Sequence, residues 1–303
     1  MSKLEANLVL LSVTFFWGIQ YIFLGNIPDD ISTFAFMALT NGIGFVILAV
    51  VFFDELRKLT RKIIKNGLLL AVLLFGANLL ITAGSRSLDA STASFFAAAN
   101  IVFVPVFMLF FGKKASVHNL VGIVIVLLGL LFATGARLDG IGYGVLVIAV
   151  ADVLSAAYIV VLGQVIGSIN PILTSLCQMF FGTLFGLAGW LIAQPETLFS
   201  LPSDIQFWSS VLVIAVFVRG FTTVMQVYAQ RYVSALNASL LFSFEIVFTL
   251  LSSLFLPLMI GSEPETITPY KLVGCVLILL GVLTSDGSVL QWRKKEAAHE
   301  QAE

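Results

Sequence analysis

Along the chain, apolar residues gather in blocks of about twenty, parted by short polar or Gly/Pro-bearing stretches such as Asn26-Ile27-Pro28-Asp29-Asp30. A helix rising 1.5 Å per residue needs ~20 apolar residues to cross ~30 Å of hydrocarbon. Ten spans are predicted near residues 5–25, 31–53, 66–85, 90–111, 118–136, 141–163, 171–193, 206–229, 236–260 and 269–286. No ten-residue alternation typical of a barrel strand appears, so the spans are read as helices. The expected fold is an all-α polytopic membrane protein. The first span carries Trp17, Gln20 and Tyr21 and has no A-x-A-like site, which sets it apart from a cleavable leader.

Composition sharpens this picture. Of 303 residues 59% are apolar and 11% charged, against about 25% charged in soluble domains. These values exclude a soluble enzyme, a nucleic-acid binder and a disordered chain, and a net charge of −1 offers no basic face to phosphates. Cys177 and Cys275 lie within apolar blocks, and His118 and His299 are isolated, so no metal and no cofactor is expected.

Charge also sets the expected orientation. With both termini in the cytoplasm, the inner segments hold Lys3, Arg57, Lys58, Arg61, Lys62, Lys65, Lys113, Lys114, Arg231, Arg293, Lys294 and Lys295. The outer loops hold only Arg86, Arg137 and Lys271. Twelve cations to three follows the positive-inside bias.

The sequence repeats itself. Residues 86–103 and 231–248, offset by 145, share seven of eighteen identities, including Arg86 with Arg231 and Ile101-Val102-Phe103 with Ile246-Val247-Phe248. At an offset of 152, Leu120-Val121-Gly122 matches Leu272-Val273-Gly274, and Leu127-Leu128-Gly129 matches Leu279-Leu280-Gly281. Leu24-Gly25 and Leu162-Gly163 align the first helices of the two units more weakly. The expected domains are a repeat over 1–137, a second over 138–288, and a charged cytoplasmic tail over 289–303. Five is odd, so the second unit enters the membrane from the opposite side. Inverted repeats of this kind build secondary transporters, whose two halves open a central site to each side in turn.

Several stretches resemble the EamA-type branch of the drug/metabolite transporter superfamily. They are Phe15-Phe16-Trp17-Gly18, Ala90-Ser91-Thr92-Ala93, the run from Ala238 to Phe248, and the Leu-Val-Gly and Leu-Leu-Gly pairs of helices 5 and 10. The resemblance covers residues 5–286. It implies ten helices in a 5+5 arrangement and a small-metabolite substrate such as an amino acid, a nucleobase-type metabolite or a drug, with export the common direction. Ala38-Leu39-Thr40-Asn41 stands where family members often carry an arginine, and Ile246 where a proline is common.

An ionisable group in mid-span costs about 2.5–3.5 kcal/mol on insertion scales and therefore faces the bundle interior. Asp152, Arg219 and Glu245 are three such groups. On helix 8, Arg219, Thr222, Thr223, Gln226 and Gln230 fall at i, i+3, i+4, i+7 and i+11, one helical face. Helix 9 adds Asn237, Glu245, Thr249, Ser252 and Ser253; helix 3 adds Asn78, Thr82 and Ser85. Converging faces of helices 1, 3, 6, 8 and 9 would enclose a wet cavity with aromatic walls. The substrate-binding candidates are Trp17, Gln20, Tyr21, Asn78, Asp152, Ser155, Tyr158, Arg219, Thr223, Gln226 and Glu245. Glu245 and Asp152 are the candidates for coupling transport to protons, since a carboxyl withdrawn from water exchanges its proton on the terms of its surroundings.

Each candidate has a plainer reading beside it. Arg219 could pair with Asp152 or Glu245 only to fix helix register, Trp17 and Tyr21 could be packing, and Gln226 and Gln230 could be interhelical glue. Asn100, the counterpart of Glu245, reads as structural, and the glycines of helices 5 and 10 as a close seam. No G-x-x-x-x-G-K-[ST] occurs, so transport would run on gradients. Without a G-x-S-x-G elbow or an intramembrane histidine, an enzyme is not expected. The expected partners are a small solute, the lipid bilayer of the cell membrane, and protons as a candidate coupling ion. A monomer or weak homodimer is expected; the alternatives are an importer of an organic cation or nucleobase-like metabolite and a non-transporting membrane assembly protein.

Overall fold

The computed structural model describes residues 1–133, 142–259, 264 and 266–286; its described residues are helical, with no strand. Eight segments are long and apolar enough to cross a bilayer. They are α1 (Lys3–Leu24), α2 (Thr33–Val51), α3 (Arg61–Ser85), α4 (Ala90–Ala97 continuing as Asn100–Leu109), α6 (Tyr143–Val165), α7 (Pro171–Ala193), α8 and α9. The α8 rod runs as Ile205–Val213, a π-helical turn Ile214–Phe221 and Thr222–Ala229; α9 runs as Ala235–Phe242 and Glu245–Met259. Two shorter helices, α5 (Val117–Ala133) and α10 (Pro269–Asp286), complete the series, with apolar stretches Val117–Phe132 and Pro269–Gly281. The boundary near 137, the tail over 289–303 and the cations Arg137, Arg293, Lys294 and Lys295 lie outside the described residues.

Helix starts follow local capping. Side chains of Ser2, Ser32, Thr60, Asp89, Asn170, Asp204 and Ser234 each accept a backbone N–H of the first turn. Thr60 explains why α3 begins at Arg61 rather than near 66: a good cap and helix-favouring Arg and Lys extend the helix beyond its apolar stretch.

The expected spans 90–111 and 236–260 are interrupted, and the side chains at the breaks give the reason. In α4, Nδ2 of Asn100 donates to the Ala97 carbonyl (3.0 Å), taking the acceptor that the Ile101 amide would use; that amide turns to Ala98 instead. In α9, the hydroxyls of Ser239 and Ser243 bond back to Leu236 and Ser239 carbonyls, and the Ser243 and Phe244 amides fall to i−3 partners. Asn100 and Glu245, which stand at the same place in the two repeats, each begin the second half of a broken helix.

Helices of the first half pack chiefly on those of the second. α1 lies against α8 and α9, α2 against α7 and α8, α3 against α6 and α7, α4 against α6, and α5 against α10. The α5–α10 seam is close on both sides: a Cβ on Gly129 would sit 2.8 Å from the Gly274 carbonyl oxygen, and one on Gly281 2.7 Å from that of Gly122. The expected glycine seam is therefore present. Two apolar cores, one around Leu10, Phe95, Ile101 and Ile246 and one around Phe36, Ile148 and Phe207, both reach Trp17. Outward, Val46, Val50, Val72, Val124, Leu146, Phe255 and Leu280 are exposed, an apolar surface suited to acyl chains and ill-suited to water.

Candidate functional site

Polar side chains of six helices meet at a cavity of about 50 Å³. Trp17, Gln20 and Tyr21 come from α1, Asn78 from α3, Asn100 from the break in α4, Ser155 and Tyr158 from α6, Gln226 from α8 and Glu245 from the break in α9. Leu74, Ala77, Ile81, Ala97 and Ile159 complete the wall. A space this size admits a few waters.

The lining is held from behind. Nε1 of Trp17 donates to Oγ1 of Thr222 (3.1 Å), joining α1 to α8. Oγ1 of Thr249 donates to the Gly18 carbonyl (3.1 Å), and a Cβ on Gly18 would lie 2.8 Å from the Glu245 carbonyl oxygen, so α1 and α9 touch backbone to backbone where the acid sits. Nε2 of Gln230 donates to the Ile159 carbonyl (2.8 Å) and ties α8 to α6. On the cavity side, by contrast, polar groups stand open. Oδ1 of Asn100 and Nε2 of Gln226 are buried without a hydrogen-bond partner among the described residues. The Tyr21 hydroxyl faces the Glu245 carboxyl and the Tyr158 hydroxyl faces the Gln178 amide. Neither closes a bond of ordinary geometry. Buried groups left this way are costly unless a ligand or water completes them.

Eight of the eleven predicted site residues line the cavity: Trp17, Gln20, Tyr21, Asn78, Ser155, Tyr158, Gln226 and Glu245. Asp152, Arg219 and Thr223 are buried away from its wall. Arg219 lies on the π-helical turn with Nη2 3.4 Å from the Met37 sulfur, and among the described residues it forms no ion pair with Asp152 or Glu245. Seven residues, about 10 Å of helix, separate Arg219 from Gln226, and only Gln226 lies at the level of the cavity. Thr223 offers its carbonyl to the Ser175 hydroxyl on α7. Asp152 lies off the wall yet within electrostatic reach of Glu245. The two glutamines of the polar stripe divide the work: Gln230, at the C-cap of α8, joins helices and Gln226 faces the cavity.

Two residues were not among the site candidates. Asn100, read from the sequence as structural, does break its helix and also lines the cavity, a second role that its alignment with Glu245 could have suggested. Gln178, 3% exposed on α7, was detectable as a lone amide in the apolar run from Leu176 to Phe181.

The EamA-like transporter family matches this chain over residues 4–135 and again over 142–285. The chain belongs to the EamA-like transporter family. It is thus a membrane transporter, and its apolar helices make it a multi-pass protein of the cell membrane. It is similar to an uncharacterized transporter of Archaeoglobus fulgidus, at 23% identity over 284 residues covering 93% of this chain and 86% of that one. A protein of known crystal structure shares its fold, with a TM-score of 0.70 at 17% identity over 96% of this chain and 99% of the other.

Proposed function

We propose that this transporter moves a small organic solute by alternating access, driven by gradients, through ten helices arranged as two oppositely oriented five-helix units with both termini in the cytoplasm. The observation that carries the reading is the origin of the cavity lining. It comes from α1, α3 and α4 of one unit and from their counterparts α6, α8 and α9 of the other. The two helix breaks place Asn100 and Glu245 at corresponding points, as discontinuous helices do at transporter sites. The family's two separate matches also fall one on each unit. Rocking of one unit on the other would widen the cavity and turn its mouth from one side to the other.

Among the described residues Glu245 is the single charged side chain on the wall, beside three aromatic rings (Trp17, Tyr21, Tyr158) and the amides of Gln20, Asn78, Asn100 and Gln226. A solute with an amino group, such as an amino acid, fits this set, with export as the direction and Glu245 exchanging a proton for the solute. The position of Arg219 supports a second reading. With no Lys or Arg on the wall, a solute carboxylate lacks a cationic partner, which favours an organic cation over a zwitterion.

Counterflow in proteoliposomes over a panel of amino acids, nucleobases and organic amines tests both readings. Exchange of at least one amine-bearing solute is expected, lost when Glu245 is replaced by Gln. No exchange of any panel member would remove the amine reading. Exchange whose pH dependence survives Glu245→Gln would remove the proton role.

A further inference from the structure

A second cavity, of about 250 Å³, opens at the end of the bundle where α2, the single turn Phe53–Leu56, the start of α3 and the start of α7 meet. Its walls are wholly apolar, with Phe45, Leu56, Ile64, Leu176 and Phe180 among them. The stretch of chain that supplies Leu56, Leu59 and Ile64 interleaves them with Arg57, Lys58, Arg61, Lys62 and Lys65, and all five cations are exposed. Lys58 pairs with Glu55 (2.6 Å), and Glu55 accepts a long hydrogen bond from Nδ2 of Asn170 (3.5 Å), which pins the turn to the cap of α7 and holds the groove open. The other four cations form no ion pair among the described residues. Asp54, exposed on the same turn, is the one further carboxylate of the stretch. Arg61 and Lys62 occupy the first turn of α3, where positive charge opposes the helix dipole. Their propensity favours the helix, but their charge at this end works against its dipole, and an external anion would relieve that cost.

We infer that this groove binds an anionic phospholipid, with part of an acyl chain in the apolar cavity and the phosphate among Arg57, Arg61, Lys62 and Lys65. An apolar groove alone would take any lipid tail, and a basic run alone would attract any anionic surface. Their interleaving on one segment couples the two, so head group and tail are selected together. Each cation near an anionic head group contributes about a fivefold preference.

Native mass spectrometry of the full chain in detergent, with equal dioleoyl phosphatidylglycerol and dioleoyl phosphatidylcholine, tests the site. Wild type is expected to retain the first phosphatidylglycerol at least ~10-fold better than phosphatidylcholine. The triple variant Arg61→Gln, Lys62→Gln, Lys65→Gln should lose that preference. Ile64→Trp, which fills the groove and keeps every charge, should lose the bound phosphatidylglycerol as well. Lys113→Gln with Lys114→Gln, the same charge type elsewhere, should behave as wild type. Equal retention of both lipids by wild type overturns the proposal. So does a preference that survives Ile64→Trp, or one that falls equally in the Lys113/Lys114 variant. Lys65→Gln alone, expected to lower the preference about fivefold, serves if the triple variant does not fold.

Discussion

Arg219 is 4% exposed and has the Met37 sulfur rather than a carboxylate beside its guanidinium, with Nε unpartnered. An unpaired buried charge destabilises the fold, and replacing it by an apolar group of similar length relieves that cost, often by ~1–4 kcal/mol. Arg219→Met is therefore expected to raise the melting temperature in detergent, by about 2–4 °C for each kcal/mol relieved; a lower melting temperature would show that Met37 and its neighbours stabilise the charge. Trp17→Phe acts in the other direction, because it removes the donor to Thr222 and leaves that link between α1 and α8 open. A loss of about 0.5–1.5 kcal/mol is expected in thermal unfolding. At this scale the sequence was informative about burial and poor about depth. All five residues of the α8 stripe are buried as the period implied, but a period does not say which level of the bundle holds the cavity, and Arg219 meets Met37 while Gln226 meets the cavity.

The elements were legible where the apolar pattern was long and uniform. The expected span 171–193 coincides with α7, which opens with the Asn170 cap and Pro171 and closes at Gln194. The breaks in α4 and α9 were hidden, because a hydropathy pattern does not register an amide or hydroxyl that competes for a backbone carbonyl. The glycines of α5 and α10 were readable because their spacing recurs at the 152-residue offset, and the structure returns the same reciprocity. The Cβ of Gly129 would meet Gly274 and Ile278, and that of Gly281 would meet Gly122 and Val126. Gly129→Leu and Gly281→Leu should each destabilise by ~1–3 kcal/mol, since the opposing atoms are backbone and cannot rotate away. Gly167→Ala, where a Cβ meets nothing within 4 Å, should leave the thermal transition in place. Equal melting temperatures for all three would mean that α5 and α10 are free to separate.

At the scale of the whole molecule, two arginines at corresponding points of the repeats repeat one contact. Arg86 donates to the Ile31 carbonyl (2.7 Å) and to that of Pro28 (2.8 Å), and Arg231 donates to the Ile169 carbonyl. Ile31 and Ile169 are the residues before the caps of α2 and α7, Ser32 and Asn170. Each arginine thus ties the loop after the third helix of its sequence repeat to the loop after the first. If the two repeats fold as oppositely oriented units, one tie lies outside the cell and its counterpart inside, and loops fastened in this way would help each unit to rock as one body. The arrangement is testable without disturbing either arginine. In a chain with Cys177 and Cys275 replaced by Ser, Ser87→Cys and Tyr232→Cys put single thiols at exposed positions beside the two ties. A membrane-impermeant maleimide added to intact cells should label the cysteine at 87 at once, and the one at 232 only after permeabilisation. Labelling of both from the same side would make the two units parallel, and the alternating opening of the central cavity would then lose its geometric basis.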